Sequence, residues 1–321
     1  MPKLHRLAIL DDYQGMTLKL GPWGSLPGDL SIQVFRDTIT NREALVARLE
    51  SFDAILMMRE RTPFPAALIA RLPNLKLIMT TGMRNASLDI AACAARGITV
   101  CGTGGFGAPT VEITWGLILN LSRGLAKSET QLRAGQWQLN LGNTLEGKTL
   151  AVMGLGNLGS RVAKVGAALG MNIIAWSQNL TAEKAAAGGA KLVSKEELLA
   201  QADVLTLHLV LSDRSRGIVG ANDLARMKPT AFIVNTSRGP LIDQEALIGA
   251  LREGRIAGAG LDVFDIEPLP PTHPILAAPN TVLTPHLGYV SEENYRVYFR
   301  DAVANIQGYL EGKPVRELKA G

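Results

Sequence analysis

Short apolar runs alternate with stretches of helical periodicity along almost the whole chain. The clearest unit runs from Thr149 to Asn179, TLAVMGLGNLGSRVAKVGAALGMNIIAWSQN. Its first apolar run, Thr149–Met153, has the length and continuity of a strand buried on both faces. A second run, Asn172–Trp176, closes a strand–helix–strand unit around a segment with apolar positions at helical spacing. The same alternation precedes this unit. Arg6–Leu10, Ser31–Phe35, Ala54–Met58, Leu75–Thr80 and Ile98–Cys101 read as strands, and Thr40–Glu50, Pro63–Arg71 and Ser87–Arg96 as helices. Thr40 is expected to cap its helix, with Glu43 completing a capping box.

Further strands are expected at Lys191–Val193, Val204–Leu209, Ala231–Asn235, Gly258–Val263 and Thr281–Thr284. Pro109 to about Arg133 reads as one long, largely apolar helix that must be buried. Trp137, in the loop after it, is expected to anchor packing. A last helix, Ser291–Glu311, is expected to return to the first domain. Alternating strands and helices predict an α/β protein of two doubly wound domains. Residues 1–102 and 287–321 form a discontinuous first domain, and residues 103–286 a second.

The turn between the two strands of the central unit carries Gly154, Gly156 and Gly159 in the spacing GxGxxG. The first glycine allows a tight turn, the second the approach of a pyrophosphate, and the third close packing of helix on strand. Phosphates would sit at the helix N-terminus, over the N–H groups of Asn157, Leu158 and Gly159. An NAD site generally places an acidic residue about 20 residues on, to bind the ribose 2′-hydroxyl. Ser177, Gln178 and Asn179 stand there instead. Nothing in the stretch repels a 2′-phosphate and no Arg in it clamps one, so NAD or NADP is expected.

At 321 residues the chain exceeds one ordinary core. Its 47% apolar and 19% charged residues describe a globular protein. The net charge of +4 is dispersed, with no basic block, which argues against nucleic acid and suits small anionic molecules. No apolar run reaches membrane-spanning length, and the start lacks a signal-peptide pattern. Two cysteines without metal spacing imply no metal site, no disulfide framework and a cytoplasmic location.

Three polar signals end strands of the second domain, where open α/β sheets place ligands. Arg238, in NTSRG, offers a two-pronged donor for a carboxylate, and Thr236 in the same turn is a candidate cofactor contact. Asp262 lies within an apolar strand and needs a partner, for which the nicotinamide carboxamide is one candidate. Glu267 follows it, held by Pro268. His286, between Pro285 and a Leu-Gly pair, suits an acid/base working near neutrality.

In this combination the chain resembles the D-isomer-specific 2-hydroxyacid dehydrogenases over nearly its whole length. The mid-sequence glycines match, and the family's Arg–Glu–His set falls on Arg238 in NTSRGPLID, Glu267 in LDVFDIEP and His286 in TPHLG. The resemblance implies two Rossmann/flavodoxin-like domains with a cleft between them, and hydride transfer between a nicotinamide cofactor and a small 2-oxo or 2-hydroxy acid. It implies that Arg238 binds the carboxylate, that His286 exchanges the proton, and that Glu267 orients His286. It also places Gly82 and Met83 near the substrate carboxylate, with Arg59 and Arg84 as added cations, and implies a homodimer joined through the long helix. A glyoxylate/hydroxypyruvate reductase is the leading reading. A phosphoglycerate dehydrogenase (less favoured because no regulatory extension follows Gly321), a phosphite-oxidising relative and a dinucleotide-sensing corepressor-like scaffold are the alternatives.

Overall fold

The computed structural model describes residues 2–319. The chain forms two compact units, Met1–Phe106 with Val290–Gly321, and Gly107–Tyr289. The first unit is built on a parallel sheet of five strands: β1 (Arg6–Ile9), β2 (Ser31–Val34), β3 (Ala54–Met57), β4 (Leu77–Thr80) and β5 (Thr99–Cys101). Their order is β2-β1-β3-β4-β5, the flavodoxin-like doubly wound order. The interior strands β3 and β4 are buried along their whole length, which is why they read as unbroken apolar runs. Edge strand β2 alternates between exposed and half-buried positions.

The second unit carries seven parallel strands: β6 (Thr149–Met153), β7 (Asn172–Trp176), β8 (Lys191–Leu192), β9 (Val204–Leu207), β10 (Phe232–Asn235), β11 (Gly258–Leu261) and β12 (Thr281–Leu283). Their order, β12-β11-β10-β9-β6-β7-β8, reverses direction between β6 and β9. That is the Rossmann order with one strand added, and ligands of such sheets bind at the reversal.

Each sheet is tied at one end by the same device. Asp53, just before β3, accepts hydrogen bonds from the N–H groups of His5 and Arg6 and from Lys76 Nζ. Asp203, just before β9, accepts from the N–H of Thr149, at the start of β6, and from Lys228 Nζ. Burial acts to raise both carboxyls, but these donors outweigh it and hold both below the usual carboxylate range.

Several local expectations change. Asn41, not Thr40, caps the first long helix, its side chain accepting from Ala44 N–H, and Glu43 pairs with Arg71 instead of closing a capping box. The long helix is two, Ala108–Arg123 and Leu125–Arg133, separated at Gly124, whose φ of 61° is left-handed. The second piece, LAKSETQLR, buries no residue of its own, and its Leu125 and Leu132 are exposed. Trp137 anchors nothing, being 72% exposed.

The units change over at 106/107 and 289/290, a few residues beyond the expected 102/103 and 286/287. Hydrogen bonds explain the shift. Gly102, Gly104 and Phe106 donate to Arg316, Asp301 and Asn294 of the first unit. Leu287 and Gly288 donate to Asp262 of the second. The last helix, Glu292–Leu310, packs on β4 and on Thr17–Leu20 of its own unit, with Phe299 against Trp23 and Tyr295. Among the described residues no helix is long and apolar enough to cross a membrane.

Candidate active site

The turn after β6 lies at the strand-order reversal of the second unit. Gly154 has φ 103°, and a Cβ there would stand 2.8 Å from the backbone of His208 just past β9. A Cβ on Gly159 would stand 2.0 Å from the Gly154 carbonyl oxygen. Both positions therefore exclude any side chain. Gly156, which caps the helix Asn157–Ala168, is different. Nothing lies within 4 Å of where its Cβ would be, so the space above the helix N-terminus is open. The first-turn N–H groups of that helix have no intrahelical acceptor. Closed packing beneath and an open, positive helix end above fit the pyrophosphate of a dinucleotide.

A pocket of about 310 Å³ lies beside this turn, at the end of β7. Trp176, Leu209, Val210 and Ile218 give it apolar walls, and Ser177, Gln178 and Asn179 form a polar rim. Apolar walls with a polar rim fit an adenosine. The chain from β9 into this pocket passes His208. Its Nε2 is 2.9 Å from Thr206 Oγ1, while its enclosed Nδ1 has no partner among the described residues. Part of the residue reaches the surface, but burial of the ring lowers its pKa to about 4.

The loops after β11 and β12 form one hydrogen-bonded cluster. Asp262 lies one residue beyond β11 rather than within it, and it is fully buried. Its carboxylate accepts from Thr284 Oγ1 at 2.6 Å, Leu287 N–H at 2.7 Å and Gly288 N–H at 2.8 Å. Burial pushes its pKa up, and the donors oppose that. The partner it was expected to need is thus found inside the protein, and the carboxamide is not required. Between two of these anchors stands His286, with φ 53°, a left-handed conformation uncommon outside glycine. Its Nδ1 is 2.6 Å from Glu267 Oε2, and the other carboxylate oxygen, Oε1, accepts from Phe264 N–H at 2.9 Å. Both side chains are largely buried, at 13% and 18% exposure. A carboxylate held at Nδ1 leaves Nε2 as the nitrogen able to face a reactant.

Arg238 follows β10 on a turn built by Asn235. The Asn235 side chain accepts from Ser237 N–H and donates to the Arg238 carbonyl, while Ser237 Oγ donates to Leu207 at the end of β9. Arg238 Nη1 donates to the Ser237 carbonyl at 2.7 Å. A Cβ on Gly239 would fall 2.1 Å from the Phe264 carbonyl carbon, so the arginine turn lies directly on the loop that holds Glu267. Thr236 points elsewhere. Its hydroxyl is 2.8 Å from Thr114 Oγ1, on the helix Ala108–Arg123, and it is buried.

In the first unit, Arg59 and Gly82 come together at the ends of β3 and β4. Arg59, with φ 52°, receives support from Thr81: its N–H donates to Thr81 Oγ1 and its Nη1 to the Thr81 carbonyl. The guanidinium occupies the place where a Cβ of Gly82 would be. The Gly82 N–H donates to Thr103 Oγ1 at 2.8 Å. Met83 and Arg84 are exposed.

Sequence reading covered the ends of β6, β7, β10, β11 and β12 but passed over the end of β9. The pocket residues Leu209, Val210, Ser212, Arg214, Ser215 and Ile218 all follow that strand. Its place beside β6 is the signal that would have found them.

A family model for the D-isomer specific 2-hydroxyacid dehydrogenase NAD-binding domain matches residues 115–288. The chain is 36% identical to a glyoxylate reductase of Aeropyrum pernix over 282 residues, 84% of each protein. It is 34% identical to a D-3-phosphoglycerate dehydrogenase of Archaeoglobus fulgidus, covering 89% of this chain and 54% of that one. Among solved structures, a phosphoglycerate oxidoreductase from Vibrio cholerae superposes with a TM-score of 0.91 at 40% identity, over 96% of this chain and 99% of that one. The chain belongs to the D-isomer-specific 2-hydroxyacid dehydrogenase family. It is a nicotinamide-dependent oxidoreductase that moves a hydride between NAD(P) and a 2-oxo or 2-hydroxy acid.

His208 generates a pH dependence of stability. Its folded pKa, about 4, lies below the ordinary 6.5, so the unfolded chain binds the proton more tightly. The contribution is complete above about pH 6.5 and is lost as pH falls toward 4. Between pH 7.5 and 5, wild type should lose about 2 kcal/mol more stability than His208→Gln. Urea midpoints at the two pH values measure this, and equal losses would show that the ring protonates freely in the fold.

Proposed function

We propose that the chain is a reductase of small 2-oxo acids of the glyoxylate/hydroxypyruvate type, giving D-2-hydroxy acids. The observation that carries the reading is the 2.6 Å contact between His286 Nδ1 and Glu267 Oε2, in a loop otherwise closed on itself by Asp262. Relatives named glyoxylate reductase and hydroxypyruvate reductase, 36% and 30% identical, support the substrate class.

The bound nicotinamide supplies the hydride to C2 of the oxo acid. Gly154, Gly156 and Gly159, with the N–H groups of Asn157 and Leu158, hold the pyrophosphate. Arg238 grips the substrate carboxylate with its planar fork and polarises the carbonyl. His286 gives the proton at Nε2 to the carbonyl oxygen as charge gathers there, and Glu267 steadies the imidazolium before transfer and keeps the proton on Nδ1 afterwards. Asp262 and Thr236 act by positioning, since their polar groups are engaged within the protein. Arg59 orders the turn at Gly82 in the first unit. A second reading is that the acid carries an additional anionic group. Relatives named D-3-phosphoglycerate dehydrogenase support that reading, although the chain spans about half their length.

Kinetics with glyoxylate, hydroxypyruvate and its 3-phosphate separate the roles. His286→Ala should lower kcat by roughly two to four orders of magnitude with dinucleotide affinity retained. Arg238→Ala should raise KM as well as lower kcat, having lost a bidentate anchor. Unchanged turnover in His286→Ala would remove that residue from proton transfer. A preference for the phosphorylated acid would select the second reading.

The chain is read as a cytoplasmic homodimer. Leu119, Leu125, Leu132, Trp137 and Leu141 present exposed apolar surface along the helices 108–133 and the loop after them. Sedimentation at micromolar concentration should give twice the chain mass, and Leu132→Glu with Leu141→Glu should shift it toward the monomer. A wild-type monomer would contradict the dimer.

A further inference from the structure

The pocket at the end of β7 contains a charge that the fingerprint stretch lacks. Arg214, on the loop after β9, lines it together with Ser177, Gln178 and Asn179. No aspartate or glutamate lines the same pocket. No carboxylate of either loop lines the pocket, Asp213 beside Arg214 included, so none is placed there to hydrogen-bond a ribose 2′-hydroxyl and repel a 2′-phosphate, and Arg214 brings a cation to the lining.

The loop that carries Arg214 is itself well held. Ser215 Oγ, in a buried residue, accepts from Ser212 N–H at 2.8 Å and donates to the Val210 carbonyl at 2.7 Å. Arg214 makes no hydrogen bond or ion pair among the described residues, and the side chains of Ser177, Gln178 and Asn179 make none either. An uncompensated cation with three idle polar side chains, beside apolar walls that suit an adenine, is a donor set for a phosphate dianion. A guanidinium binds such a group through parallel charge-assisted hydrogen bonds, which are stronger than neutral ones.

We propose that Arg214, with Ser177, Gln178 and Asn179, forms a site for the 2′-phosphate of the adenosine ribose, so that this chain takes NADP(H) in preference to NAD(H). The proposal rests on the dinucleotide reading of the Gly154–Gly159 turn and assigns the discrimination to a loop outside the fingerprint.

Isothermal calorimetry of the full chain with NADP⁺, NAD⁺ and adenosine 2′,5′-bisphosphate tests it without turnover. NADP⁺ should bind about tenfold or more tightly than NAD⁺, with the bisphosphate competing. Added salt should weaken NADP⁺ more than NAD⁺. Arg214→Gln should bring the affinity ratio to within about twofold of unity, and Arg214→Glu should invert it, as a carboxylate on this loop would repel the phosphate and accept from the 2′-hydroxyl. Residual NAD⁺ binding in each variant reports that it is folded. An NAD⁺ preference in wild type, or an Arg214→Gln ratio equal to wild type, would overturn the proposal while leaving the dinucleotide site standing. No binding of either dinucleotide would instead overturn the reading of the glycine turn on which it rests.

Discussion

The carboxylate of Asp262 is the constraint on which the reactive end of the second unit depends. It is fully buried, and a buried carboxylate is tolerable only when its lone pairs are met. Three donors meet them, and all three come from the segment Thr284–Gly288. The segment must therefore fold around the carboxylate, and His286 is carried through the middle of that fold with φ 53°. The left-handed backbone costs of order 1 kcal/mol or more, which the three hydrogen bonds offset. The imidazole then meets Glu267, whose other oxygen is fixed by Phe264 N–H, and Phe264 in turn lies against Gly239 beside Arg238. Position passes from one buried charge through backbone contacts to His286, Glu267 and Arg238.

The cofactor end obeys a different constraint, close backbone approach. Gly154 abuts His208 past β9 and Gly159 abuts Gly154, so the turn after β6 and the loop after β9 are packed as one piece. That piece determines where the loop Leu209–Ile218 runs and hence which side chains line the pocket at the end of β7. The sheet beneath is tied by Asp203, which joins the starts of β6 and β9 at the opposite end of the strands. Asp53 performs the same task between β1 and β3 in the first unit. The two sheets thus share a solution for the N-terminal edge of the strand-order reversal, although their functions differ.

Features governed by short-range pattern were legible in the sequence. Largely apolar runs located the strands, unbroken in interior strands such as β3 and β4 because parallel strands covered on both faces need them, and the GxGxxG turn and the Arg, Glu and His motifs could be assigned to strand ends. Features governed by partners far along the chain were not. Nothing local tells that Gly82 N–H is taken by Thr103, that Thr236 turns to Thr114, or that Asp262 finds its donors 22 to 26 residues away. Gly124 was visible as a glycine, but only its left-handed φ shows that it divides the long helix. No cation directly follows β7 in the sequence, whereas the fold brings Arg214 to the same pocket from the end of β9, with β6 between the two strands.

The proposed function comes down to one event, reduction of a small 2-oxo acid at the expense of a nicotinamide. The most direct measurement is loss of the reduced-nicotinamide absorbance with NADH and NADPH, each against glyoxylate, hydroxypyruvate, pyruvate and phenylpyruvate. The account predicts oxidation of the dinucleotide with glyoxylate or hydroxypyruvate and a D-configured product wherever the product is chiral. Full retention of the absorbance with every acid, while calorimetry shows the dinucleotide bound, would contradict it.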